Sequence, residues 1–99
     1  MLHIVNKSPF DHKTLETCLR FTRQGAAVLL IEDGVYAAGT GTAVTKVVEE
    51  ALKNVSIYAL EPDLAARGMQ NRVIAGVRLV DYGGFVDLVA EHNAVQSWL

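Results

Sequence analysis

The run Ala26-Ala27-Val28-Leu29-Leu30-Ile31, closed by Glu32-Asp33-Gly34, decides the fold. Six consecutive apolar residues are of strand length and do not alternate with polar ones, so the strand must be covered on both faces. The acidic pair and the glycine behind it end the strand in a turn. Residues 55–60 have the same buried-strand character, residues 2–5 form a shorter β-type run, residues 77–80 read as a fourth strand, and residues 95–99 as a closing one. Between these runs lie helix signals. Ser8-Pro9-Phe10-Asp11 reads as a helix start, with Ser8 as cap, Pro9 at the first helical position and Asp11 at capping-box spacing. That helix is expected to continue to about Gln24, where Gly25 stops it. Residues 43–54 carry helical spacing through Val44, Val47, Val48, Ala51 and Leu52. Glu61-Pro62-Asp63 opens a short helix that Gly68 stops, and Asp81-Tyr82-Gly83-Gly84 turns into a helix over 85–91. Residues 35–38 fit either class, and Gly39-Thr40-Gly41-Thr42 reads as loop.

Strands that alternate with helices imply parallel pairing, because parallel strands need crossover connections. The expected fold class is α/β, a three-layer α/β/α domain with a mostly parallel sheet of about five strands. With 99 residues and no repeat, linker or low-complexity segment, one domain over 1–99 is expected.

Composition narrows the function classes. Hydrophobic residues are 51% of the chain before its eight glycines are counted, above the roughly 45–50% usual for soluble domains with glycine included. A domain this short buries only about 60–65% of its unfolded surface, so apolar side chains spill onto the outside and call for a partner subunit. Nine Lys and Arg against eleven Asp and Glu give a net charge of −2. The cations are scattered, which argues against direct nucleic-acid binding. No apolar run approaches the roughly 20 residues of a membrane helix, and no membrane partner is expected. Met1-Leu2-His3-Ile4-Val5 lacks the basic and apolar regions of a secretion signal, so a cytoplasmic location is expected. One cysteine excludes an internal disulfide, and in the cytosol its thiol stays reduced.

Functional groups in such sheets gather beyond the carboxyl ends of the strands, here Glu32, Asp33, Glu61, Asp63 and Asp81. They pose a magnesium or phosphoryl-acceptor alternative, but turn chemistry explains Asp33-Gly34 and the helix dipole explains Asp63. Gly39-Thr40-Gly41-Thr42 before a helix has the composition of a phosphate cradle, yet Val44 replaces the third glycine of a dinucleotide motif and no Lys-Ser or Lys-Thr follows. His3, His12, His92 and Cys18 lack the tight pairing of zinc ligands, so no metal is expected. His3 is read as a hydrogen-bonded, half-buried strand residue, and His12 and His92 as solvated. Ser8 and Ser97 lack a nucleophile-elbow context. No cofactor is expected.

Cys18 remains as the candidate catalytic residue. Helical spacing places it with Leu15, Leu19 and Thr22 on or beside the inward stripe, which is also where a small buried hydrophobe belongs. Lys13, Arg20 and Arg23 lie near in sequence, but from mid-helix they do not clearly aim at the sulfur.

Several segments, in order along the whole chain, resemble the DsrH/TusB family. They are Met1-Leu2-His3, Ser8-Pro9-Phe10, Glu32-Asp33-Gly34-Val35-Tyr36-Ala37-Ala38, Tyr58-Ala59-Leu60 with Pro62-Asp63-Leu64, Ala66-Arg67-Gly68, Val80-Asp81-Tyr82 with Gly84-Phe85-Val86, and Gln96-Ser97-Trp98-Leu99. The resemblance implies a DsrEFH-like fold and a heterohexamer with DsrE-like and DsrF-like subunits. It implies a relay of sulfane sulfur as cysteine persulfide, towards a DsrC-like acceptor in sulfur oxidation or a TusE-like acceptor in tRNA 2-thiouridine synthesis. In such complexes the principal persulfide cysteine belongs to the DsrE or TusD chain. Leu15-Glu16-Thr17-Cys18-Leu19 is similar to the cysteine segment of sulfur-oxidiser DsrH chains, whereas TusB chains often lack that cysteine. The reading is therefore a sulfur-relay subunit in sulfur oxidation, a sulfurtransferase component if Cys18 carries persulfide. The alternative is a TusB-like subunit of a TusBCD complex with a structural role.

Overall fold

Five strands, β1 (Leu2–Val5), β2 (Ala27–Leu30), β3 (Ser56–Leu60), β4 (Arg78–Val80) and β5 (Val95–Trp98), form one sheet in the order β4-β3-β2-β1-β5. Every neighbouring pair is parallel. The computed structural model describes all residues from Met1 to Leu99. Four helices supply the crossovers: α1 (Thr14–Phe21), α2 (Thr45–Ala51), α3 (Glu61–Ala66) and α4 (Tyr82–Glu91).

The strand order dictates how the layers are filled. From β1 to β4 each crossover steps in one direction, and right-handed connections then place α1, α2 and α3 on one face. The step from β4 back across the sheet to β5 reverses direction and sends α4 to the other face. The core divides accordingly. Eighteen buried residues, among them Val5, Val28, Leu30 and Ile57 from the strands with Leu15, Val48 and Leu64 from the helices, fill the first face. A smaller group, Leu2, Ile4, Ala27, Leu29 and Leu88, fills the second. The expected three layers are present, and they are unequal.

Local chemistry moves some boundaries. The helix expected from Ser8 starts at Thr14, because Ser8 closes a turn instead. Its hydroxyl accepts the Phe10 N–H at 3.2 Å, and its carbonyl accepts from Asp11 and His12 at 3.3 and 3.1 Å. The helix stops at Phe21, since Thr22 is already extended with ψ 126°. Residues 32–38 form a 3₁₀ helix rather than a turn and an undecided segment. This segment presses on β1: a Cβ at Gly34 would collide with the Val5 carbonyl oxygen, so only glycine fits. The expected turn at 81–84 is the first turn of α4, whose cap is Asp81 accepting the Gly84 N–H at 2.7 Å.

Candidate functional site

Cys18 lies on the inward stripe of α1 with Leu15, fully covered in the larger core. Its Sγ is 3.7 Å from the hydroxyl of Thr22, and that hydroxyl donates to the Cys18 carbonyl at 2.6 Å. Burial pushes the thiol pKa up, and the contact with Thr22 only partly opposes this. Lys13, Arg20 and Arg23 are exposed, so none brings its charge to the sulfur. A reactive thiol needs access and a stabilised thiolate. The folded chain gives Cys18 neither.

The carboxyl edge of the sheet is occupied by its own contacts. Glu32 holds a left-handed backbone at φ 49°, which costs a non-glycine residue roughly 1–2 kcal/mol. The Asp63 carboxylate secures it by accepting the Glu32 N–H at 2.6 Å. Asp33 accepts from Arg67 Nη2 at 2.8 Å and from Nε at 3.1 Å. The same guanidinium lies 5.8 Å from the Tyr36 ring centre. No three His, Cys, Asp or Glu side chains converge. The Gly39–Thr42 loop is likewise closed on itself: Thr45 Oγ1 accepts the Thr42 N–H at 3.0 Å and donates to the Gly39 carbonyl at 3.1 Å, while Thr42 Oγ1 accepts the Val44 N–H at 3.2 Å. With the Thr40 N–H taken by the Arg72 carbonyl at 2.8 Å, the amides of Thr40, Thr42 and Val44 are already paired.

The histidines separate. His12 is exposed, and His92 is half-buried with Nδ1 2.7 Å from the Leu88 carbonyl. His3 is only 4% exposed, more than the half-burial expected of it. Its Nδ1 accepts the indole N–H of Trp98 at 3.1 Å, and Trp98 stacks on Phe21 with ring centres 6.2 Å apart. Sequence reasoning missed this Phe21–Trp98–His3 group, although a histidine inside an otherwise apolar strand was its available signal.

The profile of a family described as DsrH like protein matches residues 7–95. The chain belongs to the DsrH-like family. A protein named Protein TusB from Pectobacterium parmentieri is 39% identical to this DsrH-like chain over 99 residues, covering 99% of the chain and 100% of that protein. Protein TusB of Escherichia coli (strain K12 / DH10B) is 36% identical over 102 residues, again covering 99% and 100%. Among solved structures, the ychN protein of E. coli superposes with a TM-score of 0.78 at 20% identity, covering 97% of each chain. MTH1491 from Methanobacterium thermoautotrophicum gives 0.75 at 21% identity, covering 97% of this chain and 95% of its own. At such identities these structures establish the fold alone, and they agree with the α/β sheet of the DsrH-like chain.

Proposed function

We propose that this DsrH-like chain is a subunit of a hetero-oligomeric sulfur-relay assembly, which it completes structurally while a partner chain's cysteine carries the sulfur. The observation that carries this reading is the burial of Cys18. Persulfide exchange requires a thiolate to approach the outer sulfur of a donor and later to be approached by the next thiolate. The chain's only thiol is fully covered, with its pKa held up by that burial. Apolar side chains left in solvent support the need for partners: on α4, Tyr82 and Val86 are 62% and 65% exposed. The partners in this reading are DsrE-like and DsrF-like chains or their Tus counterparts. A TusE-like acceptor, and hence tRNA 2-thiouridine synthesis, is the branch that the relatives' name supports.

The second reading is sulfur oxidation, with Cys18 passing persulfide to a DsrC-like acceptor. Its support is the similarity of Leu15-Glu16-Thr17-Cys18-Leu19 to sulfur-oxidiser chains. It requires α1 to lift from the sheet, which uncovers Leu15 as well as Cys18.

Loading the purified assembly with a sulfane-sulfur donor and weighing each intact chain separates the two readings. The added sulfur is expected on a partner chain and absent from this one. An added sulfur on Cys18 in the assembled complex would overturn the structural reading.

A further inference from the structure

We infer that a cavity at the amino-terminal edge of the sheet is a binding site for a small oxyanion. The cavity, of about 280 Å³, is bordered by Met1, His3, Phe21, Arg23, Gln24 and the Gly25-Ala26 entry to β2. It is at the small end for ligand pockets, which suits an anion of a few heavy atoms with its waters.

His3 sets the chemistry. A ring nitrogen that accepts a hydrogen bond carries no proton, so the Trp98 N–H at Nδ1 fixes the neutral imidazole with its proton on Nε2. The His3 side chain makes its hydrogen bond within the chain through Nδ1 alone. Nε2 is not sealed in the core either, since the one fully buried side-chain polar atom without a partner is Asn6 Oδ1. A nearly fully buried side chain that borders the cavity therefore keeps an N–H donor with no partner in the chain. Arg23 joins it from the loop after α1. Its guanidinium is in neither of the chain's ion pairs, Lys53–Glu50 and Arg67–Asp33. Gln24 adds an amide, and no acidic side chain borders the space. A directed N–H, an unpaired guanidinium and an amide are complementary to oxygens that carry negative charge, and a cation would find no acceptor charge there. Phe21, stacked on Trp98, forms an apolar wall on one side.

The test is a titration of the full-length chain with sulfate, followed through the His3 side-chain nitrogens and the amides of residues 23–26 by NMR, against chloride at equal ionic strength. Saturable shifts at these positions with sulfate and none with chloride are expected. Arg23→Gln, an exposed change that leaves the core intact, is expected to weaken binding by roughly tenfold. His3→Asn, which keeps an acceptor for Trp98 but replaces the Nε2 donor with an amide on a shorter side chain, is expected to weaken it as well. Shifts that are linear, or equal in sulfate and chloride, would overturn the proposal. So would an Arg23→Gln chain that binds as tightly as the parent.

Discussion

The indole N–H of Trp98 donates to Nδ1 of His3 across 3.1 Å, joining side chains 95 positions apart. The bond crosses from the last strand to the first. β5 is a sheet edge whose other residues are exposed, so Trp98 is the side chain that holds it to the core. Phe21 extends the contact from the end of α1.

Trp98→Phe keeps an aromatic ring but removes the donor and leaves Nδ1 of a buried histidine without its partner. A loss of about 1–3 kcal/mol in folding stability is expected from urea unfolding. Hydrogen exchange is expected to speed up first along β5. An unchanged midpoint would show that the bond contributes nothing to holding the strand.

The same residue makes stability depend on pH. Burial, with the positive chain terminus adding to it, holds the His3 imidazole below the usual 6.5. Between the folded and unfolded values the unfolded chain binds a proton that the folded chain does not. Stability is thus complete above about pH 6.5 and declines as pH falls through the folded value. Protonated Nδ1 also turns from acceptor to donor, facing the donor of Trp98. Urea midpoints measured from neutral to mildly acid pH are expected to fall, and His3→Asn is expected to flatten that slope. Cys18 acts at the other end: its folded pKa is raised above 9.0, so its contribution is lost as pH climbs past that value.

Much of this fold was legible because its strands are read from burial alone. Ala27–Leu30 is buried at every position, as its unbroken apolar run requires. The helix stripe was legible too, since Leu15 and Cys18 face the core as their spacing predicts. What failed were local rules overridden by longer-range needs. Ser8 has the look of a cap, but the chain leaving β1 must first turn, and Ser8 supplies that turn. At the acidic edge, turn chemistry and the helix dipole are only part of the explanation: Asp63 also binds the Glu32 backbone and Asp33 binds Arg67, contacts that span 31 and 34 positions. The His3–Trp98 pair was out of reach for the same reason. Each residue was readable, and their meeting depends on β5 returning beside β1.

Gly34 gives a test of the 3₁₀ segment. With the Val5 carbonyl where a Cβ would stand, Gly34→Ala must push Glu32–Ala38 away from β1. A loss above about 3 kcal/mol, or failure to accumulate as folded protein, is expected. An alanine variant with parental stability would mean that the segment packs differently.

In the proposed assembly Cys18 packs and a partner's cysteine carries the sulfur. Reconstituted assembly bearing Cys18→Ala tests this most directly, through the rate at which sulfur moves from donor to acceptor. A small cavity is expected to cost this chain roughly 1 kcal/mol in stability, leaving it folded within the assembly. A transfer rate equal to that of the parent assembly is expected. A rate that collapses while the assembly stays intact would contradict it and make Cys18 the carrier.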